Sequence, residues 1–225
     1  MWLLSACAAP PPPDPTTGVV DALEAPLPTV PYAEVVAALE AERLSLGARA
    51  APREEAREVL ADAIGARLLP YWLGTGWDFY GTTSVPGDGD IACGHFVGTL
   101  LRDAGFRVDR LAVGRLPSES ILGLFATVAE RRRFRGREPA QIVVALDDWP
   151  DGLYGAGFDF HAGLLRKSGG VLEFCHASPF ADEVVCEDPL TSPAFPSRYT
   201  VVAPLLTDRA VDAWLDGRTI AVPER

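Results

Sequence analysis

With 225 residues, 48% of them hydrophobic and 23% charged, the chain has the composition of a globular protein and enough apolar material for one core without disulfide support. A formal net charge of -11 argues against nucleic acid as a partner, because that binding rests on neutralising phosphates with Lys and Arg. No stretch is long and apolar enough to span a bilayer.

In chain order, the first feature is Leu4-Ser5-Ala6-Cys7, which resembles a bacterial lipobox and makes Cys7 a candidate lipidation site. Pro10 to Pro13, Pro15, Pro26 and Pro28 follow, and residues 1–30 read as an extended tether, with a single folded domain over 31–225. Met1-Trp2-Leu3 supplies neither a basic n-region nor a full apolar h-region, so this reading needs a start further upstream. It implies export, to the periplasm or the outer membrane, with a lipid anchor to the membrane.

Tyr32 to Leu46 predicts a short helix, and Pro52 opens another. Ala56, Val59, Leu60, Ala63, Ile64 and Leu68 recur at spacings of three and four, and Pro70 is expected to end the helix. From Tyr71 to Gly89 the chain is aromatic and Gly-rich, a loop that walls something. Cys93, Phe96, Val97, Leu100, Leu101 and Ala104 then mark the clearest helix, closed by Gly105 in the C-cap place. A strand near Arg107–Val113, a helix from Ser118, a solvated Arg-rich loop over 131–137 and a strand near Gln141–Leu146 are expected next. Strands at Phe158–Arg166, Val171–Ser178 and Arg198–Ala203 and a small helix from Thr207 to Leu215 complete the reading. Helices first and strands later suggest an α+β fold with an antiparallel sheet.

Cys93 stands in the first turn of its helix, where unpaired backbone N–H groups and the helix dipole favour a thiolate. It is the candidate nucleophile. His161 and His176 lie on two strands joined by Lys167-Ser168-Gly169-Gly170, a hairpin turn. With Ser168-Gly169 central, the two imidazoles face each other across the strands. A register shifted by two residues puts Ser178 opposite His161 instead. Either way a polar group can hold the ring of His161, the candidate base, and a Cys, a His and a third polar group make the thiol version of nucleophile, base and orienter. His95, about 200° round the helix from Cys93, is expected to point away. Cys175 and Cys186 are left to pair or to remain buried thiols. A metal site from Cys93, His95, Cys175 and His176 is disfavoured, since adjacent strand residues point to opposite faces, and no cofactor or metal is called for.

Three segments carry a family resemblance. Gly89-Asp90-Ile91-Ala92-Cys93-Gly94-His95-Phe96-Val97 resembles the segment of NlpC-type peptidases in which Asp-Cys-Ser-Gly-Phe-Val opens the central helix. His161-Ala162-Gly163-Leu164-Leu165 resembles their His-Val-Gly-Ile-Tyr strand, and Phe174-Cys175-His176-Ala177-Ser178 their Phe-Ile-His-Ala-Ser strand. The resemblance covers about residues 53–205 and implies a papain-like fold, with the nucleophile helix packed on an antiparallel sheet and Cys93, His161 and His176 catalytic. Trp77-Asp78-Phe79-Tyr80-Gly81-Thr82 sits where that family has its substrate loop. By the same resemblance Trp77, Asp78, Tyr80 and Ser178 are candidate substrate-binding residues. Ala92 stands in place of the usual Asp and Gly94 in place of the Ser, departures that bear on the substrate rather than on nucleophile and base.

The function expected is hydrolysis of an amide in peptidoglycan stem peptides through a Cys93 thioester, by a monomer. Two alternatives stand beside it. One is a related thiol amidase or acyltransferase on another amide or lipid substrate; the other is a wall-binding lipoprotein without turnover.

Overall fold

A computed structural model describes residues 29–223; Cys7 and most of the proline tether lie outside them. Helix α1 spans Tyr32–Ala48 and α2 Arg53–Asp62, with Pro52 just ahead of α2 as expected. Pro70 does not end this run. A π-helical turn over Ala63–Leu68 leads into a short α3, Leu69–Trp72, and Leu69 N–H reaches the Ile64 carbonyl five residues back. The widened turn removes the need for a proline N–H and makes room for its ring.

Helix α4, Cys93–Asp103, is the central element, followed by α5 (Arg110–Gly114) and α6 (Ser118–Gly123). The strand expected near Arg107–Val113 is therefore corrected to a helix. Asp109 is the reason: its carboxylate accepts N–H bonds from Leu111 and Ala112 and starts α5 as an N-cap. A second correction concerns Gln141–Leu146, which lies largely in α7, Pro139–Ala145. Glu138 and Gln141 close a capping box there. Of its branched residues Ile142 is buried and Val144 exposed, one helical face rather than a strand.

Six strands form one antiparallel sheet: β1 Arg132–Arg135, β2 Gly152–Phe158, β3 Ala162–Ser168, β4 Val171–Ser178, β5 Glu183–Glu187 and β6 Tyr199–Pro204, in the order β1-β6-β2-β3-β4-β5. Helix α8, Asp208–Leu215, is capped by the Thr207 hydroxyl. The fold is α+β. Strand β2 escapes sequence reading because Gly152, Gly155 and Gly157 look like a turn. Side chains at 155 and 157 would collide with Leu122 and Ser118 of α6, so the glycines allow that helix to lie on the sheet.

Most of the Arg-rich segment, Arg132–Arg135, is an edge strand with its charges engaged rather than a solvated loop. Arg132 pairs with Asp148 at 2.6 Å and lies over the Trp149 ring, Arg133 pairs with Glu119 at 2.6 Å, and Arg135 covers Tyr199. Charged side chains on an edge also discourage pairing with other chains.

Alternation along the strands separates two cores. Leu164, Cys175, Ala177, Val201 and Ala203 face the larger core that α1, α2, α4 and α8 share, while Phe158, Leu165, Phe174 and Val202 face a smaller one under α7.

Candidate active site

Helix α4 and strand β3 begin side by side, and the cleft forms there. Ala92, the N-cap of α4, is extended and makes no side-chain cap, so the first backbone N–H groups of the helix are left to act on whatever lies ahead of it. The backbone N–H groups of Ala162, Gly94 and Cys93 itself favour negative charge on the Cys93 sulfur. Ala162 is the first residue of β3 and follows His161 directly, and Cys93 and His161 line the same cleft.

His161 closes the turn between β2 and β3, where its carbonyl accepts the Phe158 N–H at 2.9 Å. The register of the next hairpin pairs Leu164 with Cys175 and Ser168 with Val171. Gly169-Gly170 is therefore the turn centre, the shifted alternative. Continued to the strand ends, that register sets Ser178 opposite His161 and Gly163 opposite His176.

The two imidazoles still meet, diagonally. His161 Nε2 lies 2.7 Å from His176 Nδ1, and His176 Nε2 lies 2.9 Å from Glu187 Oε1. Gly163 makes the diagonal possible, because a Cβ there would sit 2.6 Å from the Phe174 ring and 2.9 Å from the His176 Cβ. Phe174 stacks on His176 with ring centres 4.1 Å apart, and Phe158 stacks on His161.

Proton positions follow from the acceptor at the end. A carboxylate only accepts, so His176 donates from Nε2 and its Nδ1 is a lone pair. His161 must then donate from Nε2, which leaves its Nδ1 unprotonated, the tautomer a general base needs. Ser192 Oγ donates to the same Glu187 oxygen at 2.5 Å and fixes the far end. Glu187 and Ser192 were not foreseen. Glu187 shows itself only once β5 pairs with β4, and no spacing in the sequence signals that strand.

The electrostatics differ from the sequence expectation. Burial pushes the Cys93 thiol up, outweighing the three N–H groups that favour the thiolate. Burial, with His176 beside it, holds His161 down to about 3. The resting pair is therefore neutral thiol and neutral imidazole, not the thiolate expected from the helix start. Desolvation has won over the dipole.

His95 also departs from expectation. It is buried, lines the same cleft as Cys93, and its Nδ1 has no hydrogen-bond partner among the described residues. Its ring lies against Gly114 of α5, where any Cβ would come within 2.2 Å of it. Gly94 serves the same contact: a Cβ there would stand 2.8 Å from the Gly114 carbonyl. The glycine in place of the motif's Ser thus admits α5 to the cleft wall.

The cleft encloses about 970 Å3 and includes Trp77 and Tyr80 in its lining. Asp78 is not in that lining; its carboxylate accepts the Tyr80 N–H and shapes the loop. Ser178 is buried, and its hydroxyl accepts the N–H groups of Phe180 and Ala181, so it holds a turn. The wall loop is seated on the nucleophile segment, with Ala92 N–H donating to the Gly81 carbonyl at 2.9 Å. A Cβ at Gly81 would strike the Asp90–Ile91 backbone at 2.6 Å.

Cys175 and Cys186 are joined by a disulfide across β4 and β5. Cys175 therefore offers no thiolate to a metal, and it faces the core opposite to the His176 side.

No family model, curated protein or solved structure matches this chain.

Proposed function

We propose that the protein is a papain-like cysteine hydrolase that cleaves an amide bond through a thioester on Cys93. One juxtaposition carries the reading. Cys93 at the start of α4 and His161 just ahead of β3 line one cleft, and His161 is held by His176 and Glu187 in the tautomer with Nδ1 free.

The step begins from neutral partners. Cys93 Sγ attacks the carbonyl carbon as its proton passes to His161 Nδ1, and the carbonyl π electrons move to oxygen. The uncapped N–H groups at the start of α4 stabilise that oxyanion. Collapse breaks the C–N bond, the amine leaves with the proton from His161, and a thioester remains. Water then attacks, giving its proton to His161. The C–S bond breaks, the acid departs, and the thiol regains its proton. His176 and Glu187 offset the positive charge that His161 carries between the two proton transfers.

The sequence resemblance supports peptidoglycan stem peptides as the source of this amide. Digesting purified sacculi and identifying released muropeptides by mass spectrometry tests that substrate, with Cys93→Ala expected to abolish release. A second reading, a thiol amidase or acyltransferase on another substrate, is favoured by the apolar character of the cleft walls. Sacculi left intact by an enzyme that turns over other acyl compounds would select it.

A further inference from the structure

The cleft over Cys93 is walled by Leu111, Phe160, Pro179, Phe180 and Pro193; among the described residues Arg115 is the one guanidinium in its lining, and no carboxylate or lysine lies there. A stem peptide carries carboxylates and an amine, and each needs a charged or polar partner once it leaves water. Beyond Arg115, these walls offer only the polar groups of Trp77, Tyr80, Thr82 and the histidines His95 and His161. They offer apolar area, and much of it is exposed: Phe160 at the tip of the β2–β3 turn is 92% accessible and Phe180 63%. Large apolar side chains grouped at the mouth of a cleft mark a place where apolar ligand is covered. The volume of about 970 Å3 falls at the upper end of the range for small-molecule sites.

We propose that the acyl part of the substrate is an apolar chain: the carbonyl lies over Cys93, and the chain runs along Leu111, Phe160 and Phe180. This rests on the Cys93 thioester reading and takes the second of its two substrate classes, an acyl amphiphile. The reaction is unchanged, with the bond to the leaving amine or alcohol broken and the acyl chain passed to water through sulfur. An aromatic or apolar peptide is the competing occupant. It would fill the same walls without a dependence on linear chain length.

The test is a series of p-nitrophenyl esters from acetate to octanoate, with octanamide binding to the Cys93→Ala protein measured by calorimetry. The expected result is a kcat/KM that rises about threefold to fourfold per methylene, the factor that burying one CH2 supplies. Leu111→Asp and Phe180→Asp should each lower the octanoate-to-acetate ratio about tenfold, and octanamide should bind saturably. A flat series with no octanamide binding overturns the proposal, and if Cys93→Ala still abolishes acetate turnover, the thiol reading survives that loss. Saturable octanamide binding alongside turnover that ignores Cys93→Ala supports the acyl site while removing the nucleophile.

Discussion

His161 and His176 meet nitrogen to nitrogen, Nε2 to Nδ1 at 2.7 Å, although the hairpin register does not set them opposite one another. The contact is diagonal, and it is the second link in a chain that ends on Glu187 and Ser192. Replacing members of the chain should therefore have graded effects. His161→Ala should lower kcat by about 100-fold or more, the range of a lost general base, and His176→Ala by less. Glu187→Gln keeps shape and removes charge; it should lower kcat on the order of 10-fold with KM little changed. Equal losses for all three variants would mean that the chain only supports the fold.

The thiol should behave as a desolvated one, although Cys93 itself is only half-buried. Burial raises Cys93 and depresses His161, so iodoacetamide labelling should be slow at neutral pH and accelerate only above the ordinary thiol range. Rapid labelling near pH 6 would show a preformed thiolate and imidazolium.

All three histidines are held below their ordinary value of 6.5, His161 down to about 3, each chiefly by desolvation. The unfolded chain therefore binds more protons, and stability must fall as pH drops from about 6.5 toward 3. Urea midpoints at pH 7.5, 6 and 5 should decline in that order. His161→Asn should make the decline shallower; an unchanged slope would count against a buried neutral ring.

The Cys175–Cys186 bridge lies beside the site, since β4 and β5 place His176 and Glu187 next to its two ends. Closing a loop of sequence separation 11 is worth about 3 kcal/mol. Reduction, or Cys175→Ala with Cys186→Ala, should lower stability by about that much and weaken the hold of Glu187 on His176. Under non-reducing denaturation, residues 29–223 should show one free thiol, Cys93.

How much of this was legible depended on whether the signal was local. The α4 stripe, Gly105 after it, and the β4 and α8 spans all follow from periodicity and caps within one segment. So did the nearness of His161 and His176, because a two-residue change of register keeps both on one face. What was missed depends on long-range pairing. Glu187 acts only through β5, and β2 is buried on both faces, which erases the alternation that would announce it. The neutral state of Cys93 was also out of reach, because desolvation is set by what packs over the helix start rather than by the helix itself.

Cys93 carries the acyl group in the proposed reaction. Incubating the protein with p-nitrophenyl acetate, quenching in acid and taking intact and peptide-mapped mass spectra tests it most directly. One acetyl group is expected, located on Cys93, removed by neutral hydroxylamine, and accumulating less in His161→Ala. Acetylation confined to other residues, with Cys93→Ala turning over at the rate of the unaltered protein, would contradict it.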